Sequence, residues 1–350
     1  MSSTLFNPNL PLNEAKTPPA SWYRSIYQDQ QERRSVLASN WQVVAHLDEL
    51  KDNGSFVSGC AGSEPWVITR DQEGQLHAFA NVCRHNGTQV ADGAGKQEQL
   101  VCPYHGWQYE LNGRLAKAPR IGGVADFSRD KYSLKPLSLQ VWGPLVMISS
   151  QPHATPLQLD ELTQRLDAMN WTGLERITRR TYDIQCNWKV FVDNYLDGGY
   201  HVPFLHKDLS AELDLKGYKT ELFEGYSIQS VAGQQEAGDR LAGDALYAWV
   251  YPNLMLNRYG NMMDINVVVP LSTESCRVIF DWYAEPGLSE DFISESLKSS
   301  EQVQKEDIYI CERLQVGMGS IHFEPGPYAP TVEMGKYQFH QMLAADLKRS

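Results

Sequence analysis

The 350-residue sequence has no apolar run approaching the roughly 18 residues that a membrane-crossing helix needs. It is also short of positive charge, with 31 Lys and Arg against 43 Asp and Glu and a net charge of −12. That balance disfavours a nucleic-acid partner, which wants a basic face. Cysteine is sparse and scattered, at positions 60, 83, 102, 186, 276 and 311. The opening stretch MSSTLFNPNLPLNEAKTPPASWYRS has no apolar targeting core and carries Glu14. A cytoplasmic location is therefore expected, a disulfide framework is disfavoured, and some of the thiols become candidate metal ligands. Internal repeats and low-complexity tracts are absent too.

What remains is an ordinary globular composition, 42% hydrophobic and 21% charged, in a chain long enough for two cores. Residues 1–39 read as a Pro-containing arm ending in a charged helix over Ser25–Ala38. In residues 40–155, short β-branched and aromatic runs such as WQVVAHL, PWVITR and GPLVMIS alternate with Gly, Pro and Asp clusters, which predicts an all-β domain. The Pro-rich QPHATPLQLDE marks a boundary, and residues 156–350 mix helices and strands. Helices are expected over Leu159–Met169, from Asn187 to about Tyr200, and from Asp291 to about Gln315. Strands are expected at LYAWVYPNLMLNRYG, MDINVVVPL and CRVIFDWYAE.

The β region contains NVCRHNGTQVADGAGKQEQLVCPYHGWQY, where Cys83-x-His85 and Cys102-x2-His105 form two ligand pairs on turns rich in Gly and Pro. Zinc takes the same ligand types, but its fingers usually place Cys with Cys and His with His. Here each loop offers one of each, which favours two thiolates on one iron and two imidazoles on the other. Such a cluster relays single electrons.

In NWKVFVDNYLDGGYHVPFLHKD, Trp188, Phe191, Val192 and Tyr195 form an apolar stripe, and Asn194, Asp197 and His201 share one side of the expected helix. His206 would point about 140° away on an unbroken helix, so Pro203 is expected to break it and let the second imidazole fold back. Two histidines need an anionic partner to complete a facial triad for non-haem Fe(II). In VQKEDIYICERLQVGM, Asp307 interrupts a stripe of Val303, Cys311 and Leu314, where a carboxylate must be paired or metal-bound. By residue pattern alone, a core arginine is as good a partner for it as a metal.

Taken together, these motifs resemble the Rieske non-haem iron oxygenase family (alpha-subunit type), with Asn86 standing where many members carry Arg. The resemblance implies an α+β fold, with an all-β Rieske [2Fe–2S] domain and a catalytic domain whose curved antiparallel sheet packs on helices. It assigns the cluster to Cys83, His85, Cys102 and His105. It gives the mononuclear Fe(II) to His201, His206 and Asp307, with Glu306 as the alternative carboxylate. Asn194 keeps the family position seven residues before His201. Asp197 resembles the acid that bridges the two metal sites between subunits, although it lies four residues before His201 instead of three. O2 as cosubstrate, a ferredoxin or flavin-type reductase as electron donor, and a homotrimer also follow from the resemblance.

DNYLDGGYHVPFLHK, YKTEL, YAWVYPNLMLNRYG and VQKEDIYICERLQ narrow the likeness to the branch of plant choline monooxygenase and its bacterial relatives. That branch implies oxidation of a quaternary ammonium or related amine, by hydroxylation or oxidative N-demethylation. Tyr200, Phe204, Trp249, Tyr251, Tyr259 and Trp282 are candidates for aromatic faces around such a cation. The alternatives are a component that hydroxylates aromatic rings and a Rieske electron carrier without catalysis.

Overall fold

The computed structural model describes residues 6–207, 217–231 and 244–348. The chain divides into two compact units, Arg33–Leu157 and a larger one that joins Met1–Glu32 to Gln158–Ser350. Among the described residues no helix is long and apolar enough to cross a membrane.

The smaller unit is built from short antiparallel strands in three sheets. One sheet orders Leu76–Ala80, Glu64–Arg70, Ser55–Ala61 and Ala94–Lys96, and another orders Gln99–Val101, Gln108–Glu110 and Leu115–Lys117. Phe56, Phe79, Leu100, Trp107 and Tyr109 pack into one core with Cys83 and Cys102. Both thiols thus sit on the edge of the domain's own apolar interior.

The larger unit centres on a seven-stranded antiparallel sheet. Its order is Glu175–Ile184, Ser275–Ala284, Met262–Ser272, Leu254–Tyr259, Ala245–Val250, Tyr226–Val231 and Lys219–Phe223. The single strand expected over LYAWVYPNLMLNRYG is instead a hairpin whose turn runs through Tyr251, Pro252 and Asn253. Pro252 has no N–H to continue a ladder, so the chain reverses there.

Helices cover the sheet. Those expected over Leu159–Met169 and Asp291–Gln315 form as Asp160–Ala168 and Glu290–Gly317, the latter capped by Ser289 Oγ accepting from Phe292 N. The helix expected over Ser25–Ala38 is broken into Ser21–Arg24, Ile26–Glu32 and a wider turn at Arg33–Leu37. A C-terminal helix, Met334–Lys348, has no clean apolar stripe in sequence because His340 lies among its buried residues.

Residues 6–32 are not a separate arm. Glu32 Oε2 lies 2.6 Å from Lys189 Nζ and accepts from Trp188 Nε1 at 2.9 Å, with both charged side chains fully buried. Tyr23 donates to Asp193 Oδ2 at 2.6 Å. Burial pushes the Lys189 pKa down despite Glu32 beside it. Removing one partner strands the other charge, so Glu32→Ala should cost about 3–5 kcal/mol in denaturant unfolding. The double variant Glu32→Leu/Lys189→Met should lose less than the single one; an equal or larger loss would show that the pair stabilises on its own account.

Candidate active site

The two loops of the cysteine–histidine motif share one backbone wiring. Cys83 N donates to Thr88 O and Gly87 N to Cys83 O; Cys102 N donates to Trp107 O and Gly106 N to Cys102 O. Each loop can turn so tightly because Gly87 and Gly106 take φ of +83° and +72°. Asn81 pins the ends of the first loop, accepting from Val90 N and Ala91 N and donating to Ala91 O.

This wiring buries both thiols and leaves both imidazoles exposed, with His85 Nδ1 and His105 Nδ1 facing each other at 3.0 Å. Trp107 stacks on His85 with ring planes 8° apart. The Tyr109 hydroxyl lies 3.3 Å from Cys83 Sγ. Burial raises the pKa of the Cys83 thiol, so a thiolate there requires a cation against it. Two converging sulfurs and two converging ring nitrogens are the donor set a Rieske cluster takes.

The second constellation brings together chain segments a hundred residues apart. His206 Nε2 is 3.1 Å from His201 Nε2 and 3.1 Å from Asp307 Oδ1, and His201 Nε2 is 3.8 Å from that oxygen. One ligand atom from each of the three lies within 4.8 Å of the others. The outer nitrogens are both taken by carboxylates, His201 Nδ1 by Asp197 Oδ2 at 2.6 Å and His206 Nδ1 by Glu306 Oε2 at 2.7 Å. A proton held on each Nδ1 leaves each Nε2 as a lone pair aimed at the carboxylate. Three electron-rich atoms converging this way fit a cation between them. Burial opposes a charge on His206, but Asp307 and Glu306 outweigh it and raise its pKa.

Among the described residues Asp307 meets Asn194 Nδ2, at 2.8 Å, and the two imidazoles, and no arginine. Glu306, the alternative ligand, is occupied with His206 Nδ1 and with Gln302 Nε2. The stripe expected beside Asp307 is only partly apolar, since Cys311 is buried but Leu314 is exposed.

Asp197 and His201 do not share a helix with Asn194. The helix spans Trp188–Tyr195, and the chain turns through Gly198 and Gly199 at φ of +70° and +75°. A Cβ on Gly198 would stand 2.2 Å from Val332 O, so this turn admits no side chain. Its curl lets the Asp197 carboxylate accept from Tyr200 N and His201 N as well as the ring. Pro203 lies in the first turn of the next short helix, Val202–Leu205, where it is tolerated; the break belongs to the glycines.

Two adjoining cavities, of about 110 and 140 Å³, meet at Asp307, Tyr195, Tyr247 and Asn257. The second is lined by both histidines, and the first reaches Tyr259, Asp264, Asn266 and Phe280. One row of the sheet makes their floor: Tyr247 pairs with Asn257, and Asn257 with Asp264.

Of the expected aromatic candidates, Tyr259 reaches the first cavity. Tyr200 and Phe204 are 57% and 79% exposed and line a separate surface pocket. Trp249 and Trp282 stand two residues beyond Tyr247 and Phe280 on their strands. They share the right face, and Trp282 even pairs with Asp264, yet neither lines a cavity. Trp249 and Tyr251 pack on Phe339 of the C-terminal helix, and Tyr251 bonds Asp346. Asn257, Asp264 and Asn266 were not among the candidates, although polar residues on alternate positions of apolar strands are themselves a signal.

Residues 40–128 match the Rieske [2Fe-2S] domain family, and residues 171–348 match the ring hydroxylating alpha subunit (catalytic domain) family. The chloroplastic choline monooxygenase of Arabidopsis thaliana is 44% identical across 99% of this chain and 86% of its own length. The carnitine monooxygenase oxygenase subunit of Escherichia coli K12 is 30% identical across 88% and 85%. A quaternary ammonium Rieske monooxygenase solved with L-carnitine superposes with a TM-score of 0.83 at 26% identity, covering 99% of both chains. With both domains matched in order over one continuous chain, this protein belongs to the Rieske non-haem iron oxygenases of the ring-hydroxylating alpha-subunit type.

Proposed function

We propose that this enzyme uses O2 and reductant-supplied electrons to oxidise a C–H bond of a quaternary ammonium or related amine. The observation that carries this reading is the convergence of His201, His206 and Asp307 on a cavity walled by Tyr195, Tyr218 and Tyr247. Aromatic faces hold a cation that has no hydrogen to donate, and the relatives named for choline and carnitine act on such cations. Asn257 and Asp264 on the cavity floor suit a charged substrate better than an aromatic hydrocarbon. A carrier without catalysis would have no use for the converging triad.

In this reading Cys83, His85, Cys102 and His105 hold the Rieske cluster, and His201, His206 and Asp307 hold the mononuclear iron. Bound there, the cluster supplies single electrons and the iron supplies open positions for O2. Asp197 and Glu306 keep the imidazole protons on Nδ1, and Asn194 fixes the rotation of the Asp307 carboxylate. The exposed edges of His85 and His105 suit the approach of a ferredoxin or flavin-type reductase. A homotrimer in which Asp197 links the two metal sites across a subunit boundary completes the proposal. One support is the related quaternary ammonium monooxygenase whose structure is described in terms of inter-subunit electron transfer.

His201→Ala should abolish mononuclear iron while the visible spectrum of the cluster persists; unchanged iron content together with unchanged substrate-dependent O2 uptake would end the oxygenase assignment. Cys102→Ser should remove the cluster spectrum and leave the mononuclear iron in place. Asp197→Asn should retain both metals yet slow single-turnover oxidation of the cluster by about 10–100-fold, the usual cost of losing an outer partner of a metal ligand. Rates equal to those of the parent enzyme would remove Asp197 from the electron path.

A further inference from the structure

Beyond the triad, the first cavity ends in a built acidic site. Asp264 is 4% exposed, and its carboxylate accepts from Asn257 Nδ2 at 2.6 Å, Asn266 Nδ2 at 2.9 Å and Tyr259 Oη at 2.8 Å. Tyr195 in turn donates to Asn257 Oδ1 at 2.8 Å, which turns the Asn257 amide group toward Asp264. A carboxylate accepts only, so the bond from Asn266 Nδ2 also fixes which end of that amide is which. Its Oδ1 is left as a buried acceptor with no partner in the protein. Asn266 is 3% exposed and lines the same cavity. An unpaired buried acceptor costs stability unless a ligand meets it.

Asp264, Asn266, Tyr259 and Phe280 line only the first cavity, whereas His201 and His206 line only the second. Anionic and aromatic groups therefore gather at the end away from the imidazoles. Gln304, one turn before Asp307 on the same helix, adds a buried Nε2 donor without a partner. Among the described lining residues of both cavities there are carboxylates but no Lys or Arg.

We propose that Asp264, with Asn266 Oδ1 and the Tyr259 and Phe280 rings, is the receptor for the cationic head of the substrate. By the same charge it excludes substrates that carry a carboxylate. This inference rests on the ammonium-oxidising reading and deepens it to cations with a neutral polar tail. The head meets Asp264 through charge and its polarised C–H groups meet Asn266 Oδ1. Gln304 Nε2 offers a donor to a hydroxyl on the tail. A zwitterion seated with its carboxylate at this end of the cavity would set it against the like charge of Asp264.

The test is calorimetric binding to anaerobic holoenzyme, using choline, its uncharged isostere 3,3-dimethylbutan-1-ol, and glycine betaine. The parent enzyme should bind choline at least about 30-fold tighter than either of the others, and Asp264→Asn should shrink both ratios to about 3-fold or less. Iron content and the cluster spectrum establish that the variant is loaded. If Asp264→Asn does not fold, Asn266→Ser removes the amide acceptor and should narrow the choline-to-isostere ratio in the same direction. A loaded parent that binds and oxidises choline, with ratios unmoved in the loaded variants, overturns the Asp264 receptor alone. A parent that binds no ammonium compound but couples O2 uptake to another substrate overturns the functional reading along with it.

Discussion

The hydrogen bond from His201 Nδ1 to Asp197 Oδ2, at 2.6 Å, and its counterpart from His206 to Glu306 are the constraint on which the site depends. An imidazole free to rotate or to change tautomer presents a lone pair in no fixed direction. Once each Nδ1 proton is committed to a carboxylate, both Nε2 atoms face Asp307, and Asn194 holds that carboxylate from the other side. The arrangement places like lone pairs about 3 Å apart, which is unfavourable without positive charge between them. With both protons on Nδ1, a metal between these atoms relieves that clash.

That constraint explains the local departures from regular structure. Asp197 and His201 sit four residues apart, a spacing that on a helix would also put them in contact, yet the chain abandons the helix after Tyr195. A helical Asp197 could reach the His201 ring but could not also accept from Tyr200 N and His201 N, which are spent on the ladder inside a helix. The Gly198–Gly199 turn frees those two donors and so holds the acid with three bonds. The extra residue in the spacing is thus accommodated by the turn, with the acid-to-histidine contact intact.

Much of this was legible in the sequence. The two cysteine–histidine pairs announce themselves because a cluster needs four ligands on two tight loops, and only a few residue types can make such loops. The histidines were legible as a pair bracketing an expected helix break, whereas Asp307 was visible only as a costly group in a helical pattern, which an arginine fitted as well as a metal until the resemblance chose between them. The helix expected to run to about Tyr200 misled because periodicity reports which face a residue would occupy but not where the helix stops. Aromatic composition misled in the same way. Trp249 and Trp282 share a strand face with Tyr247 and Phe280, but whether a residue on that face opens onto a cavity depends on what packs against it, as Phe339 does on Trp249 and Phe280 on Trp282, and tertiary contacts alone supply that. Asp264 and Asn266 were readable as buried polar residues on alternate strand positions. Their mutual bonds and their partnership with Asn257 come from pairing across strands and could not be read along the chain.

The helix Trp188–Tyr195 shows how precision at the metal end is secured from behind. Its eight residues present two faces. Phe191, Asn194 and Tyr195 line the cavities, while Lys189 and Asp193, four residues apart, turn the other way. Lys189 meets Glu32, and Asp193 meets Tyr23 at 2.6 Å and His340 at 2.8 Å, with Tyr328 completing the chain at His340 Nδ1. Charges buried so deeply stabilise a fold poorly compared with hydrocarbon, but they tolerate almost no displacement before a desolvated ion loses its partner. A helix pinned by such pairs resists sliding or rotating more than one packed only on interchangeable aliphatic groups. The N-terminal segment and the C-terminal helix therefore belong to the active site in a mechanical sense, since they fix the element from which Asn194 reaches Asp307.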